Sequence, residues 1–193
     1  MKNRRDLVLI LLLLGVTAQV LVAASRVRPV DAAGGPAAQL AVGDALPRLE
    51  GVDVHGYPSS IPLANDDGVV TVLFAYHSVC AHSDSVAPDW TGFLADGSWS
   101  AGVARTLAVT RDLPDAALAY AERFGWDVEI LSTPDVPRSD IRHSLVSRTP
   151  WVFVFDSDGV LRFQGHGEEL DLVERAVAAL ASATSSEQDW RIQ

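Results

Sequence analysis

A chain of 193 residues, 48% of them hydrophobic, is long enough for one globular domain plus an appendage and too apolar for wholesale disorder. Its formal net charge of −10, from 15 basic and 25 acidic residues, leaves no basic stripe beyond the first few positions, which disfavours nucleic acid as a partner. Cys80 is the only cysteine, so an intramolecular disulfide is excluded and any disulfide must join this chain to another molecule.

Lys2, Arg4 and Arg5 precede an apolar run from Leu7 to Ala24, interrupted only by Gly15, Thr17 and Gln19. As a helix this run would rise about 27 Å, close to the hydrocarbon thickness of a bilayer. Residues 1–24 therefore read as an N-terminal signal-anchor that holds a single-pass protein in the cytoplasmic membrane through residues 7–24. The cationic start predicts a cytoplasmic N-terminus, with everything after Ala24 on the extracytoplasmic side. Arg26 and Arg28 weaken that asymmetry without reversing it. The small residues Val22-Ala23-Ala24 also suit a cleaved signal peptide, which would deliver the chain to the same compartment.

Residues 25–41, with Pro29, Gly34, Gly35 and Pro36, have no hydrophobic period and predict a flexible stalk. The folded domain is expected over 42–182, with a polar tail at 183–193. Val69–Tyr76 is a continuous apolar, β-branched run, as in a strand covered on both faces. Ser83–Leu94 predicts a helix with Val86, Trp90 and Phe93 on one side. Val103–Val109 predicts a second buried strand, and Asp115–Phe124 a helix stopped by Gly125. Val128–Leu131 is a short strand and Asp140–Val146 a short helix. Trp151–Phe155 and Val160–Phe163 flank Asp156-Ser157-Asp158-Gly159, a hairpin signal. An amphipathic helix over Glu168–Ala181 closes the domain. Alternation first and an antiparallel pair last imply a three-layer α/β sandwich around a mixed sheet.

Cys80 follows the most buried strand and opens the next helix. There unpaired backbone N–H groups and the positive end of the helix dipole favour the thiolate. A protonated His82 would add to that stabilisation. Pro88 lies eight residues on, inside the helix, and Thr149-Pro150 immediately precedes a strand, a position suited to a cis proline.

Together these features resemble the thioredoxin superfamily, especially the membrane-anchored thiol–disulfide proteins of the TlpA type and the related AhpC/TSA (redoxin) domains. The resemblance extends over Val42–Ala181, with Gly43-Asp44-Ala45-Leu46-Pro47, Gly51 and Gly56 similar to the family's N-terminal extension. It implies a thioredoxin-like sandwich preceded by one transmembrane helix. It also implies Cys80 as the nucleophile of a C-x-x-C motif, with Pro150 as the cis proline beside it. Thr149 would then contact bound partner, and Val79 would stand on the substrate side where a tryptophan usually precedes the cysteine. The pair Ala81-His82 is similar to that of oxidising members such as DsbA.

Three positions depart from the pattern: Ser83 replaces the second cysteine, Val79 the tryptophan, and Phe74 a buried polar or acidic residue. A serine hydroxyl can donate to the Cys80 thiolate but cannot form the second S–S bond that resolves a mixed disulfide. Two readings follow. In one, Cys80 forms mixed disulfides with thiol- or disulfide-bearing extracytoplasmic proteins and an external thiol resolves them. In the other, the fold serves as a redox-inactive binding or scaffold domain. A one-cysteine peroxidase is a third, poorer match, because the peroxiredoxin signature places proline and threonine or serine where this chain has Leu73 and His77. His77, Cys80, His82, His143 and His166 match no metal-ligand spacing, and none of the readings requires a cofactor.

Overall fold

The structure, a computed structural model, describes residues 38–94, 98–99 and 103–191. The apolar run at 7–24 and most of the expected stalk lie outside the described residues. Among those described, no helix is long and apolar enough to cross a membrane.

The strands are β1 (Arg48–Val52), β2 (Pro58–Pro62), β3 (Val70–Tyr76), β4 (Ser98–Trp99), β5 (Ala104–Thr110), β6 (Glu129–Ser132), β7 (Trp151–Phe155) and β8 (Leu161–His166). The helices are α1 (Ala81–Leu94), α2 (Pro114–Phe124), α3 (His143–Val146) and α4 (Leu170–Arg191). All strands join one sheet in the order β2-β1-β6-β5-β3-β7-β8, with β4 on β5. β3, β5 and β6 run parallel, while the β3–β7, β7–β8, β1–β2 and β1–β6 pairs are antiparallel, so the sheet is mixed.

The core divides by the two-residue period of β3. Val70, Val72, Phe74 and Tyr76 face a layer made by α1, α2 and α4, through Val86, Trp90, Leu94, Ala117, Tyr120, Val173 and Val177. Leu73 and Ala75 face the opposite layer, where Leu145 and Val146 of α3 pack with Leu40, Leu46, Leu49 and Ile61. Every residue of β3 is buried, which accounts for its unbroken apolar sequence. α2 ends at Gly125, whose left-handed φ of 69° lets its N–H reach the carbonyls of Ala121 and Glu122.

Several limits differ from those read in the sequence. Leu40 is buried and its N–H donates to Ser144 Oγ at 3.2 Å, so the folded unit reaches back into the segment expected as stalk. A lone leucine carries no periodicity to announce this. The β1–β2 hairpin was not expected. It buries Leu49 opposite Ile61, and Asp53 Oδ1 accepts the His55 and Tyr57 N–H groups at its turn, both at 2.9 Å. β4 was likewise not expected. α3 begins later than Asp140 because that carboxylate captures the Arg142 N–H at 2.8 Å and its guanidinium at 2.6 Å, folding the residues before it into turns. α4 continues past Ala181 to Arg191, since no Gly or Pro in that stretch stops it.

Candidate thiol site at the start of helix α1

Parallel pairing in register brings Tyr76 of β3 level with Thr110 of β5, and Thr110 level with Ser132 of β6. The loops after these strands therefore emerge side by side, at the carboxyl ends of the strands where α/β folds place their sites. Cys80 sits there as the residue immediately before α1. Its carbonyl accepts the Asp84 N–H at 3.0 Å, the first bond of the helix, so Cys80 occupies the N-cap position.

An N-cap side chain faces the amides two and three residues on, here His82 and Ser83. Burial, the largest single influence, pushes the Cys80 thiol up. The Ser83 N–H, the Ser83 hydroxyl, the His82 N–H and Thr149 together outweigh it, and the thiol lies below its ordinary range. Ser83 is buried, and its Oγ also accepts the His77 N–H at 3.3 Å. His82 thus acts through its backbone, and its ring is exposed. Cys80 Sγ lies 3.7 Å from the Thr149 carbonyl, to which the protonated thiol donates.

The Thr149–Pro150 peptide bond is cis. Pro150 is held from behind: its carbonyl accepts the Gly167 N–H at 3.2 Å, and the Gly167 carbonyl accepts the Trp90 indole N–H at 2.8 Å. A Cβ on Gly167 would stand 2.4 Å from Trp90 Cζ2 and 3.0 Å from Pro150 Cβ. Neither neighbour can swing away, so Gly167→Ala is expected to cost about 1–3 kcal/mol, read as a lowered denaturant midpoint. An unchanged midpoint would rule out this close approach.

Cys80, Ser83, the His82 amide, Thr149 and Pro150 are therefore assembled in one place. Val79 is 81% exposed beside them, and Leu113, unnoticed in the sequence, is 67% exposed on the neighbouring loop. The two loops are tied by the Ser78 N–H donating to Asp112 Oδ2 at 2.7 Å. Phe74 faces Trp90 edge-on, with centroids 4.9 Å apart, in a wholly apolar setting beneath α1. Near the first turn of α1, burial and then the Asp84 carboxylate push the Tyr120 phenol up, and Asp84 itself pairs with Arg123 at 3.1 Å.

Asp112 is the principal residue not legible as part of the site in the sequence, together with its pairing to His77. His77 is not a loose loop histidine: its Nε2 lies 3.1 Å from Asp112 Oδ1, with both side chains mostly buried. The available signal was an acidic residue two positions after a buried strand, in Val109-Thr110-Arg111-Asp112. His166 packs against Trp151 and lies near Glu168. Among the described residues, no three His, Cys, Asp or Glu groups converge as metal ligands.

No protein-family model matches the chain, and no curated protein is similar to it in sequence. Solved structures are similar in fold. A peroxiredoxin-like protein from Aquifex aeolicus superposes with a TM-score of 0.55 at 20% identity, covering 76% of this chain and 90% of that one. Peroxidoxin BcpB of Mycobacterium tuberculosis gives 0.53 at 19%, covering 74% and 97%. A protein of Chlorobium tepidum assigned as thiol:disulfide interchange protein DsbE gives 0.54 at 19%, covering 74% and 99%. With the mixed sheet and its flanking helices, these likenesses show that the chain has a thioredoxin-like α/β fold.

Proposed function

We propose that this chain is an extracytoplasmic thioredoxin-fold protein, anchored in the cytoplasmic membrane through residues 7–24, that forms mixed disulfides through Cys80. The observation that carries the reading is the sulfur at the N-cap of α1, where the His82 and Ser83 amides and the Ser83 hydroxyl favour its thiolate. The thiolate attacks one sulfur of a partner disulfide; a Cys80–partner S–S bond forms and the partner's other sulfur leaves as a thiolate. With Ser83 in the resolving position, an external thiol must attack that bond, taking the partner sulfur into a new disulfide and returning Cys80 as thiolate. Thr149 meets the sulfur and Pro150 follows it, and the exposed apolar side chains of Val79 and Leu113, on the two loops tied through Asp112, suit a protein partner.

The peroxidase reading gains nothing from the site. Leu73, at the proline position of that signature, is buried inside β3, and the His77 ring is engaged by Asp112.

The test is the pH dependence of Cys80 alkylation in the full chain. A lowered thiol pKa moves the rising limb of the rate to lower pH, so the midpoint is expected below the free-thiol value of about 8.5. Cys80→Ser should abolish both labelling and mixed disulfides. A thiol that alkylates only above that value would favour the scaffold reading instead.

A further inference from the structure

We propose that Asp112 is the positioning residue of the thiol site: its carboxylate, two residues past the end of β5, clamps the 77–80 turn and so sets where Cys80 and Ser83 meet. The proposal rests on the reading of Cys80 as a nucleophile.

The polar atoms of Asp112 are fully engaged. Oδ2 accepts the Ser78 N–H at 2.7 Å and the Thr110 hydroxyl at 2.8 Å, while Oδ1 lies 3.1 Å from His77 Nε2. Its own N–H donates to Thr110 Oγ1 at 3.1 Å, and its carbonyl accepts the Ser132 hydroxyl. The side chain is 7% exposed. A carboxylate buried this far is tolerated only with its donors in place, so the strand end and the turn are bound to each other.

The clamp reaches the sulfur through His77. The ring of His77 is on Asp112, its N–H donates to Ser83 Oγ, and its carbonyl accepts the Cys80 N–H at 2.9 Å. Releasing the ring of His77 and the amide of Ser78 frees the residue whose backbone bonds both the Ser83 hydroxyl and the Cys80 N–H. Among the described contacts Asp112 does not touch the sulfur, so it acts by position. Tyr76 is the other titratable group against it, a phenol raised first by burial and then by this carboxylate.

The experiment compares Cys80 alkylation across pH in the full chain with Asp112→Ala, Asp112→Asn and His77→Ala, alongside thermal unfolding. Asp112→Ala is expected to move the profile to higher pH and slow alkylation at pH 7 by about tenfold, the effect of one unit in thiol pKa. Asp112→Asn keeps an acceptor for Ser78 and Thr110, and its amide can donate to the other His77 tautomer, so it should restore the rate to within roughly twofold. Loss of charge alone predicts something else, because removing an anion near a thiolate lowers the thiol pKa in both variants. Should Asp112→Ala fail to fold, His77→Ala, at a partly exposed position, still loosens the turn and should slow the reaction about threefold.

Folded variants whose profiles superimpose on wild type would overturn the clamp and leave the thiol reading standing, even if their unfolding temperatures fall. An Asp112→Asn profile as displaced as that of Asp112→Ala would also overturn it. The wild-type profile alone tests the thiol reading. If its midpoint sits at the free-thiol value, that reading fails and the clamp fails with it.

Discussion

Ser83→Cys is expected to give this chain an internal disulfide and to shorten the lifetime of its mixed disulfides on the order of a hundredfold or more. Ser83 is the buried third residue of α1, and its hydroxyl is among the groups that favour the Cys80 thiolate. A thiol placed there stands three residues on from Cys80, on the same face of the first turn of α1. It replaces a dilute external thiol with a tethered one, and the gain is the effective concentration of an oriented neighbour. The measurement is alkylation after exposure to oxidised glutathione. Both sites should be protected in Ser83→Cys and exposed again by reductant, and trapped partner adducts should decay quickly. Two thiols that remain free under those conditions would mean that the 3.3 Å bond from the His77 amide holds position 83 turned from the sulfur.

Trp90→Ala should produce the largest loss of stability, about 3–5 kcal/mol, seen as a fall in denaturant midpoint with little change in slope. The side chain is wholly buried at the centre of an aromatic group, with Phe74 at 4.9 Å and Trp126 at 6.2 Å between ring centroids. Its removal leaves a cavity between β3 and α1 and deprives the Gly167 carbonyl of its donor, and the second effect adds to the first. The same carbonyl belongs to the residue that braces Pro150, so the site behind Cys80 should soften along with the core. Trp126, at the border of the cluster and 7% exposed, is expected to cost less on truncation. A loss below 1 kcal/mol at Trp90 would contradict this account of the core.

What could be read in the sequence was whatever depends on neighbours along the chain. β3 announced itself because a strand covered on both faces must be apolar throughout, and Cys80 because the strand and helix on either side of it are both strongly patterned. Gly125 and the Asp156 turn were legible for the same reason. The β1–β2 hairpin was not, because its hydrophobic signal is one buried leucine and one buried isoleucine among polar residues, and its turn is made by the side chain of Asp53. Asp112 was hidden more deeply. Its meaning lies in the Ser78 amide and the His77 ring, 34 and 35 positions away, and only the parallel register of β3 and β5 brings them together. For His82 the sequence shows an imidazole beside the thiol, while the structure adds its backbone amide as a group that favours the thiolate.

The sulfur at the N-cap also links reactivity to local order. Helices commonly begin on Ser, Asn or Asp because those side chains keep an acceptor for the first amides whatever happens in solution. Under the proposed function the acceptor here is the reacting atom itself. Once the thiolate becomes half of a disulfide it loses its charge, and the His82 and Ser83 amides lose their anion. The adduct should therefore start α1 less firmly than the free protein does, and release of the partner restores the helix start together with the thiolate. If Cys80 exchanges disulfides as proposed, that exchange is, in mechanical terms, the loosening and retightening of the first turn of α1.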